Sequence, residues 1–162
     1  MSDVPRWSAV WAFLAGAGLM ISVAAGPLGS LVGAEAELMR AVNELRGTRH
    51  LEPLQARPDL AEVARRHALD MAQGGYLSHV NPRGEDPLMR VRAAGIEGFR
   101  LLGENIAASS EPMDRIARVL SEWMASHAHR ENLLTPASTA PGLAAVAAPD
   151  GRLFIVQLYA TF

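Results

Sequence analysis

Residues 142–162 read GLAAVAAPDGRLFIVQLYATF, and this closing stretch decides the fold. Two apolar runs, Gly142 to Ala148 and Arg152 to Phe162, are joined through Pro149-Asp150-Gly151. In the second run Leu153, Ile155, Gln157 and Tyr159 alternate with their neighbours. Period-two patterning on either side of an Asp-Gly pair predicts a β-hairpin, because tight hairpin turns need the positive φ angles that Asp and Gly tolerate. One more strand must join that sheet. Phe99 to Ala108 is the candidate, although Gly103-Glu104-Asn105 interrupts its pattern.

Upstream of that strand the period changes to the helical one. Leu38, Val42 and Leu45 recur at helical spacing within Glu35 to Arg46, and Gly47 ends the run. Pro58 suits the start of a second helix, Pro58 to Gln73. There Leu60, Val63, Ala64, His67, Ala68 and Met71 gather on or near one face, before Gly74-Gly75 stops it. A loop follows from Tyr76 to Asp86, then a short helix from Asp86 to Ala94 that Gly95 closes. Between the two strand regions, Pro112 to Ser126 is helical, with an apolar stripe of Ile116, Val119, Leu120 and Trp123. Helices grouped ahead of a small antiparallel sheet predict the α+β class, with helices packed in layers on the sheet faces.

The chain has 162 residues and a formal net charge of -2, so no broad electrostatic case exists for nucleic acid. All 15 basic residues are arginine, scattered through helical and loop segments alike. There is no cysteine, which excludes disulfide scaffolds, thiolate zinc sites and cysteine nucleophiles. The N-terminal part differs in kind. No charge occurs between Trp7 and Ala34, and Trp7 to Ala25 reads WSAVWAFLAGAGLMISVAA. That length spans a bilayer core of about 30 Å as a helix. Arg6 marks the cytoplasmic side, and the folded part is expected outside. Residues 1–33 therefore read as a signal peptide or a membrane anchor with a short linker, Gly26 to Gly33, and residues 34–162 as the domain. Membrane contact is confined to residues 7–25 if the segment is not cleaved.

The chemistry concentrates in a separated trio: His79 in Ser78-His79, Glu104 in Gly103-Glu104-Asn105, and His129 in Ser126-His127-Ala128-His129-Arg130, about 25 residues apart each time. Two imidazoles and a carboxylate in one cleft can hold a divalent metal or move a proton. Glu104 can be a third ligand, or it can orient an imidazole by accepting its N–H. Zinc is the choice by ligand type, although copper and nickel bind such sites as well. Asn105 and Glu104 can equally be tying the strand to neighbouring backbone groups. His127 is read as a surface residue, because on a helix it lies roughly 200° from His129. His67, on an apolar helix face, is read as core or boundary, and His50 as a loop residue. Ser126 lacks the Gly-x-Ser-x-Gly surroundings of a nucleophile and is read as a helix cap or the opening of a loop. HExxH is absent.

Taken in order, several stretches carry a family resemblance. They are Asn43-Glu44-Leu45-Arg46 with Pro53-Leu54, Ala64 through Met71, SHVNPRG at 78–84, Arg90 with Gly95, Gly103-Glu104-Asn105-Ile106, Trp123-Met124-Ala125-Ser126, His129-Arg130 with Asn132-Leu133-Leu134, Gly142, and Gln157-Leu158-Tyr159. Over residues 40–160 the chain resembles a bacterial member of the CAP superfamily of cysteine-rich secretory proteins, antigen 5 and pathogenesis-related 1. The resemblance implies a three-layer α-β-α sandwich and a cleft of two histidines and two acids. His79, Glu104 and His129 match three of these. The fourth position, three residues after the tryptophan, is Ser126 here. Relatives often carry Ser-Pro-Gly-His where this chain has Ser126-His127-Ala128-His129, so the helix is expected to run further toward His129. The family is associated with extracellular signalling, defence and lipid binding. That implies an exported, non-enzymatic binding module whose ligand is a lipid, an envelope component or a protein. The alternative reading is a metal-assisted hydrolase of protein or envelope polymer using the same cleft, with Glu104 or a histidine as base.

Overall fold

The computed structural model describes residues 27–110, 115–138 and 140–162, with side chains from residue 33 onward. The elements are α1 (Pro27–Gly47), α2 (Pro58–Gly74), α3 (Pro87–Ala93), β1 (Leu101–Ser109), α4 (Arg115–Ala125), α5 (His127–Leu134), β2 (Ala140–Ala147) and β3 (Leu153–Thr161). The three strands form one antiparallel sheet in the order β1-β3-β2. The C-terminal hairpin is thus β2-β3, turning at Gly151 with φ 86°, and β1 is the strand expected near residue 100.

Strand β3 lies in the middle, and its two faces feed two cores. Phe154, Val156, Leu158 and Ala160 pack with Leu60, Val63, Ala64, Ala68 and Met71 of α2 and Val91 of α3. Leu153, Ile155 and Tyr159 pack with Leu38 and Val42 of α1, Ile116, Val119 and Trp123 of α4, and Leu133 of α5. Alternation along a strand sends successive side chains to opposite faces. A strand covered on both sides is therefore apolar throughout, which is why residues 153–160 are all buried. Helix, sheet and helix make the three layers of the expected sandwich.

A sheet of three strands has two edges, and both are covered. On β1, the outward carbonyl of Ile106 accepts the Trp123 indole N–H at 3.0 Å, and that of Glu104 accepts from the Asn132 side chain at 3.3 Å. On β2, the Ala145 N–H donates to the Glu35 carboxylate of α1 at 2.9 Å. Side chains thus satisfy backbone groups that would otherwise template strand addition.

Two expectations change. From the first described residue, Pro27, the chain is helical, so residues 27–33, read as linker, belong to α1, and the helix runs through the expected boundary at residue 34. Gly29, Ser30 and Gly33 weaken a helix without ending it. The helix expected to continue toward His129 instead stops at Ala125. Ser126, at φ -85° and ψ 128°, is extended and starts a separate helix, α5. Among the described residues no helix is long and apolar enough to cross a membrane. The stretch Trp7 to Ala25 lies outside the described residues, as does the start of the helix expected from Pro112.

Helix α5 is held by an arginine. Arg46, fully buried near the end of α1, donates to the carbonyls of Glu52 (2.9 Å), Leu133 (2.8 Å), Thr135 (3.1 Å) and Ser138 (3.4 Å). Most of these lie at and beyond the C-terminus of α5, where the helix dipole favours a cation.

Gly142 of β2 sits where α2 begins. A methyl placed there would collide with the backbone of Leu60 and Ala61, which no side-chain rotation relieves. Gly142→Ala is expected to destabilise the fold by about 1–3 kcal/mol, the usual cost of overpacking. That corresponds to a melting temperature lower by roughly 2–4 °C per kcal/mol for a chain of this size. Thermal unfolding followed by circular dichroism checks it.

Candidate functional site

The site begins with a loop that is nailed down on both sides of His79. Helix α2 ends at Gly75, which takes the left-handed conformation at φ 67° and lets its N–H reach the Met71 carbonyl. The buried His67 ring then bonds the Ser78 carbonyl through Nε2 at 2.9 Å. Past His79, buried Asn81 acts as the hub of a tight turn. Its Oδ1 accepts the N–H groups of Arg83 (3.0 Å) and Glu85 (2.9 Å), and its Nδ2 donates to the Glu85 carboxylate at 2.6 Å. Asp86 caps α3 by accepting the Met89 N–H at 2.7 Å. Between these anchors the His79 side chain stays 47% exposed.

Glu104 comes to the same place from the sheet. It lies on β1 on the side that faces α2 and α3, and its side chain is 2% exposed. Its Oε1 accepts from His79 Nδ1 at 2.8 Å, and its Oε2 accepts from Arg90 Nη2 at 2.7 Å. The contact with a carboxylate makes Nδ1 the protonated nitrogen of His79, so the lone pair sits on Nε2 and points away from Glu104. Arg90, at the end of α3, also donates through Nη1 to the carbonyls of His79 and Glu85, both at 2.8 Å. One guanidinium thereby holds the loop, the turn and the acid together.

His129 arrives from the other layer. Helix α5 crosses beside β1, and the Asn132 side chain rests against Gly103, where any Cβ would strike it. Asn105 is next to Glu104 on the strand and so faces the opposite side. Its Nδ2 donates to the His129 carbonyl at 3.1 Å, and its Oδ1 accepts from Asn132 at 2.8 Å. Asn105 Nδ2 also reaches the Tyr159 hydroxyl at 3.4 Å, which donates to Gln157 at 2.8 Å. The His129 ring stands 6.4 Å from the His79 ring and 6.4 Å from the Trp123 ring, centre to centre. Burial holds the His129 pKa below the ordinary 6.5, and the neighbouring His79 pushes it the same way.

The structure therefore brings His79, Glu104 and His129 together at the outer edge of β1, with Asn105 behind His129. Glu104 has the second of its two possible roles: it orients an imidazole. Among the described residues no group of three or more His, Cys, Asp or Glu side chains is placed to hold a metal ion. Ser126 forms the break between α4 and α5, and its hydroxyl does not cap the helix. His127 is on the surface, 77% exposed and 3.6 Å from Glu131, His50 is an exposed loop residue with φ 57°, and His67 is core. Sequence reasoning about the cleft missed Arg90 and Asn132. Both fall in the stretches that carry the resemblance, which was the available signal. An arginine in the last turn of a short helix otherwise reads as a solvated charge.

Known proteins share this fold. Residues 39–159 match the CAP family of cysteine-rich secretory proteins. The chain is 30% identical over 109 residues to the protein YkwD of Bacillus subtilis, an alignment that covers 67% of this chain and 41% of that one. An extracellular protein of Bacillus anthracis containing an SCP domain superposes with a TM-score of 0.70 at 29% identity, over 82% of this chain and 41% of that one. An outer surface protein of Borrelia burgdorferi has the same fold, with a TM-score of 0.71 at 23% identity over 80% of this chain and 92% of that one. The chain thus spans about two fifths of the length of the two Bacillus proteins it matches.

Two outcomes are expected. Arg90→Met leaves the Glu104 carboxylate buried without its cation and should cost about 3–5 kcal/mol, the usual result of breaking a buried pair; urea unfolding measures it. His67 is held neutral, its pKa pushed below 6.5 first by burial and then by the charge of Arg90. The unfolded chain therefore binds the proton more readily. The contribution of His67 is fully present above about pH 6.5 and is lost as pH falls from there toward the lowered folded value. Urea midpoints between about pH 7 and 5 should decline in the wild type, with a shallower slope in His67→Phe.

Proposed function

This chain belongs to the CAP family of cysteine-rich secretory proteins, and from that premise we propose that it acts outside the cytoplasm as a non-enzymatic binding module. Its imidazole pair, exposed His79 and half-buried His129, takes a divalent metal or a small ligand reversibly. The location is supported by the two relatives described as an extracellular protein and an outer surface protein. It is also supported by the uncharged stretch Trp7 to Ala25 ahead of the domain, as a signal peptide or as an anchor.

The single observation that carries the reading is the state of Glu104. Both of its oxygens are engaged, one by His79 and one by Arg90. An acid held in this way is a poor general base, because abstracting a proton would break an ion pair that is almost fully buried. It is well suited to fix a tautomer. With Nδ1 turned to Glu104, His79 offers Nε2 outward, the carboxylate–histidine arrangement found behind metal ligands. His129, neutral at physiological pH through its lowered pKa, offers a second nitrogen across a 6.4 Å ring separation. The residues present fit zinc as two nitrogen ligands with the carboxylate behind one of them. Such a set leaves positions open to water or an exogenous ligand, unlike a closed structural site. A bound zinc would supply Lewis acidity to whatever occupies those positions. The protein's part is to orient His79, to keep His129 unprotonated and to hold both on rigid elements. The metal-assisted hydrolase reading has Glu104 or a histidine as base, and the pairing of Glu104 weighs against the first of these.

Calorimetric titration of zinc into the full chain in detergent tests the proposal. Wild type should give a saturable heat that disappears in His79→Ala/His129→Ala, and Glu104→Gln should bind about 10–100-fold more weakly. Identical heats in wild type and the double variant would overturn it. So would zinc-dependent turnover of casein or peptidoglycan that is lost in Glu104→Gln.

A further inference from the structure

A glycine inside a strand weakens it and often marks a place where another part of the chain approaches closely. Gly103 of β1 is such a residue. Its φ is not positive, so the backbone conformation makes no demand for glycine. Space makes the demand. A Cβ on residue 103 would meet the side-chain amide of Asn132 before anything else, with Cγ at 2.8 Å and Nδ2 at 3.2 Å. Packed carbons stand about 3.5–4.0 Å apart, so something would have to move.

The Asn132 amide is not free to turn aside. Its Nδ2 donates to the Glu104 carbonyl at 3.3 Å and to Asn105 Oδ1 at 2.8 Å. Asn105 is fully buried, and its own Nδ2 is spent on the His129 carbonyl at 3.1 Å and the Tyr159 hydroxyl at 3.4 Å. Behind it, Tyr159 donates to Gln157 at 2.8 Å, and both are buried in the central strand. A swing of Asn132 would take from a buried oxygen the donor it has, the costly outcome for a desolvated polar group. A side chain on residue 103 is therefore accommodated by moving α5 away from β1.

Asn132 stands three residues after His129 on α5, and residues at that spacing are neighbours on one helix face. What lifts one lifts the other. His79 is placed from the same run of strand, through the 2.8 Å contact of its Nδ1 with Glu104. Gly103-Glu104-Asn105 is thus the common reference for both imidazoles, by the acid's side chain on one side and by the approach of α5 on the other. We propose that Gly103 and Asn132 are a positioning pair that sets the distance between the His79 and His129 rings, and through it the strength with which the two rings share one ligand. The bare Cα of Gly103 lets the rings stand 6.4 Å apart. The consequence for binding rests on the imidazole pair being the binding site proposed above.

Gly103→Ala, Asn132→Ala and the double variant are compared with wild type as isotope-labelled full chains in detergent. Without metal, the nuclear Overhauser cross-peaks between the His79 and His129 ring protons should weaken in both single variants, while the far-ultraviolet circular dichroism is kept. Zinc affinity, read by calorimetry, should fall about ten-fold or more in each. The double variant should lose no more than about three-fold beyond Asn132→Ala alone, because the added methyl then has room. Should Gly103→Ala not fold, Asn132→Ala decides alone, since it removes the tie and adds no bulk. Unchanged cross-peaks or unchanged zinc affinity in Asn132→Ala overturns the proposal. So does a double variant whose losses simply add, to about a hundred-fold. A wild type that takes up no zinc removes the metal site and leaves the cross-peaks to decide the spacing.

Discussion

A three-stranded sheet is mostly edge, and this constraint shapes the molecule. Only β3 has partners on both sides. The other two strands would each present a row of unpaired backbone groups to solvent or to another chain. The protein meets the problem with side chains from its helices: Glu35 on β2, and Trp123 with Asn132 on β1. Covering the β1 edge brings α4 and α5 around from one layer, while the loop after α2 approaches from the other. The cleft forms where the two layers meet at that edge. His79 belongs to one layer and His129 to the other, and β1 supplies Glu104 to the first and Asn105 to the second.

The arrangement has an electrostatic logic. The strand's alternation places an acid and an amide on opposite faces in consecutive positions. The acid is buried with a cation on one side and an imidazole on the other, so its charge is spent on structure. The amide carries no charge and ties the backbone of the second histidine. The first imidazole and the backbone of the second are thus fixed by groups that do not themselves reach solvent, and His79 turns a nitrogen outward.

How much of this the sequence disclosed depended on whether the signal was local. The hairpin, β1 and helices α2 to α4 have periodicities or stop residues that are visible within a few turns, and they fall close to where the residues place them. Helix α5 does not: in HAHRENLL only Leu133 is buried, so no apolar stripe announces it, and its start depends on the backbone of Ser126. The early start of α1 was hidden for a similar reason, because Gly29, Ser30 and Gly33 look like a linker one residue at a time. In the site, the types and order of His79, Glu104 and His129 were legible through the resemblance. The tasks of Arg90 and Asn132 were not, since each reaches across the fold to a partner whose distance in sequence carries no pattern.

The Arg46 clamp has a consequence for how the chain finds this structure. Among the described residues no acid pairs with its buried guanidinium, and its partners are carbonyls spread over residues 52, 133, 135 and 138. Docking α5 one turn too far along would leave a desolvated cation facing too few oxygens, which is worse than leaving it in water. The N-terminal helix therefore discriminates among alignments of a segment made much later in the chain. A near-miss of the second histidine's helix is penalised before the histidine has done anything.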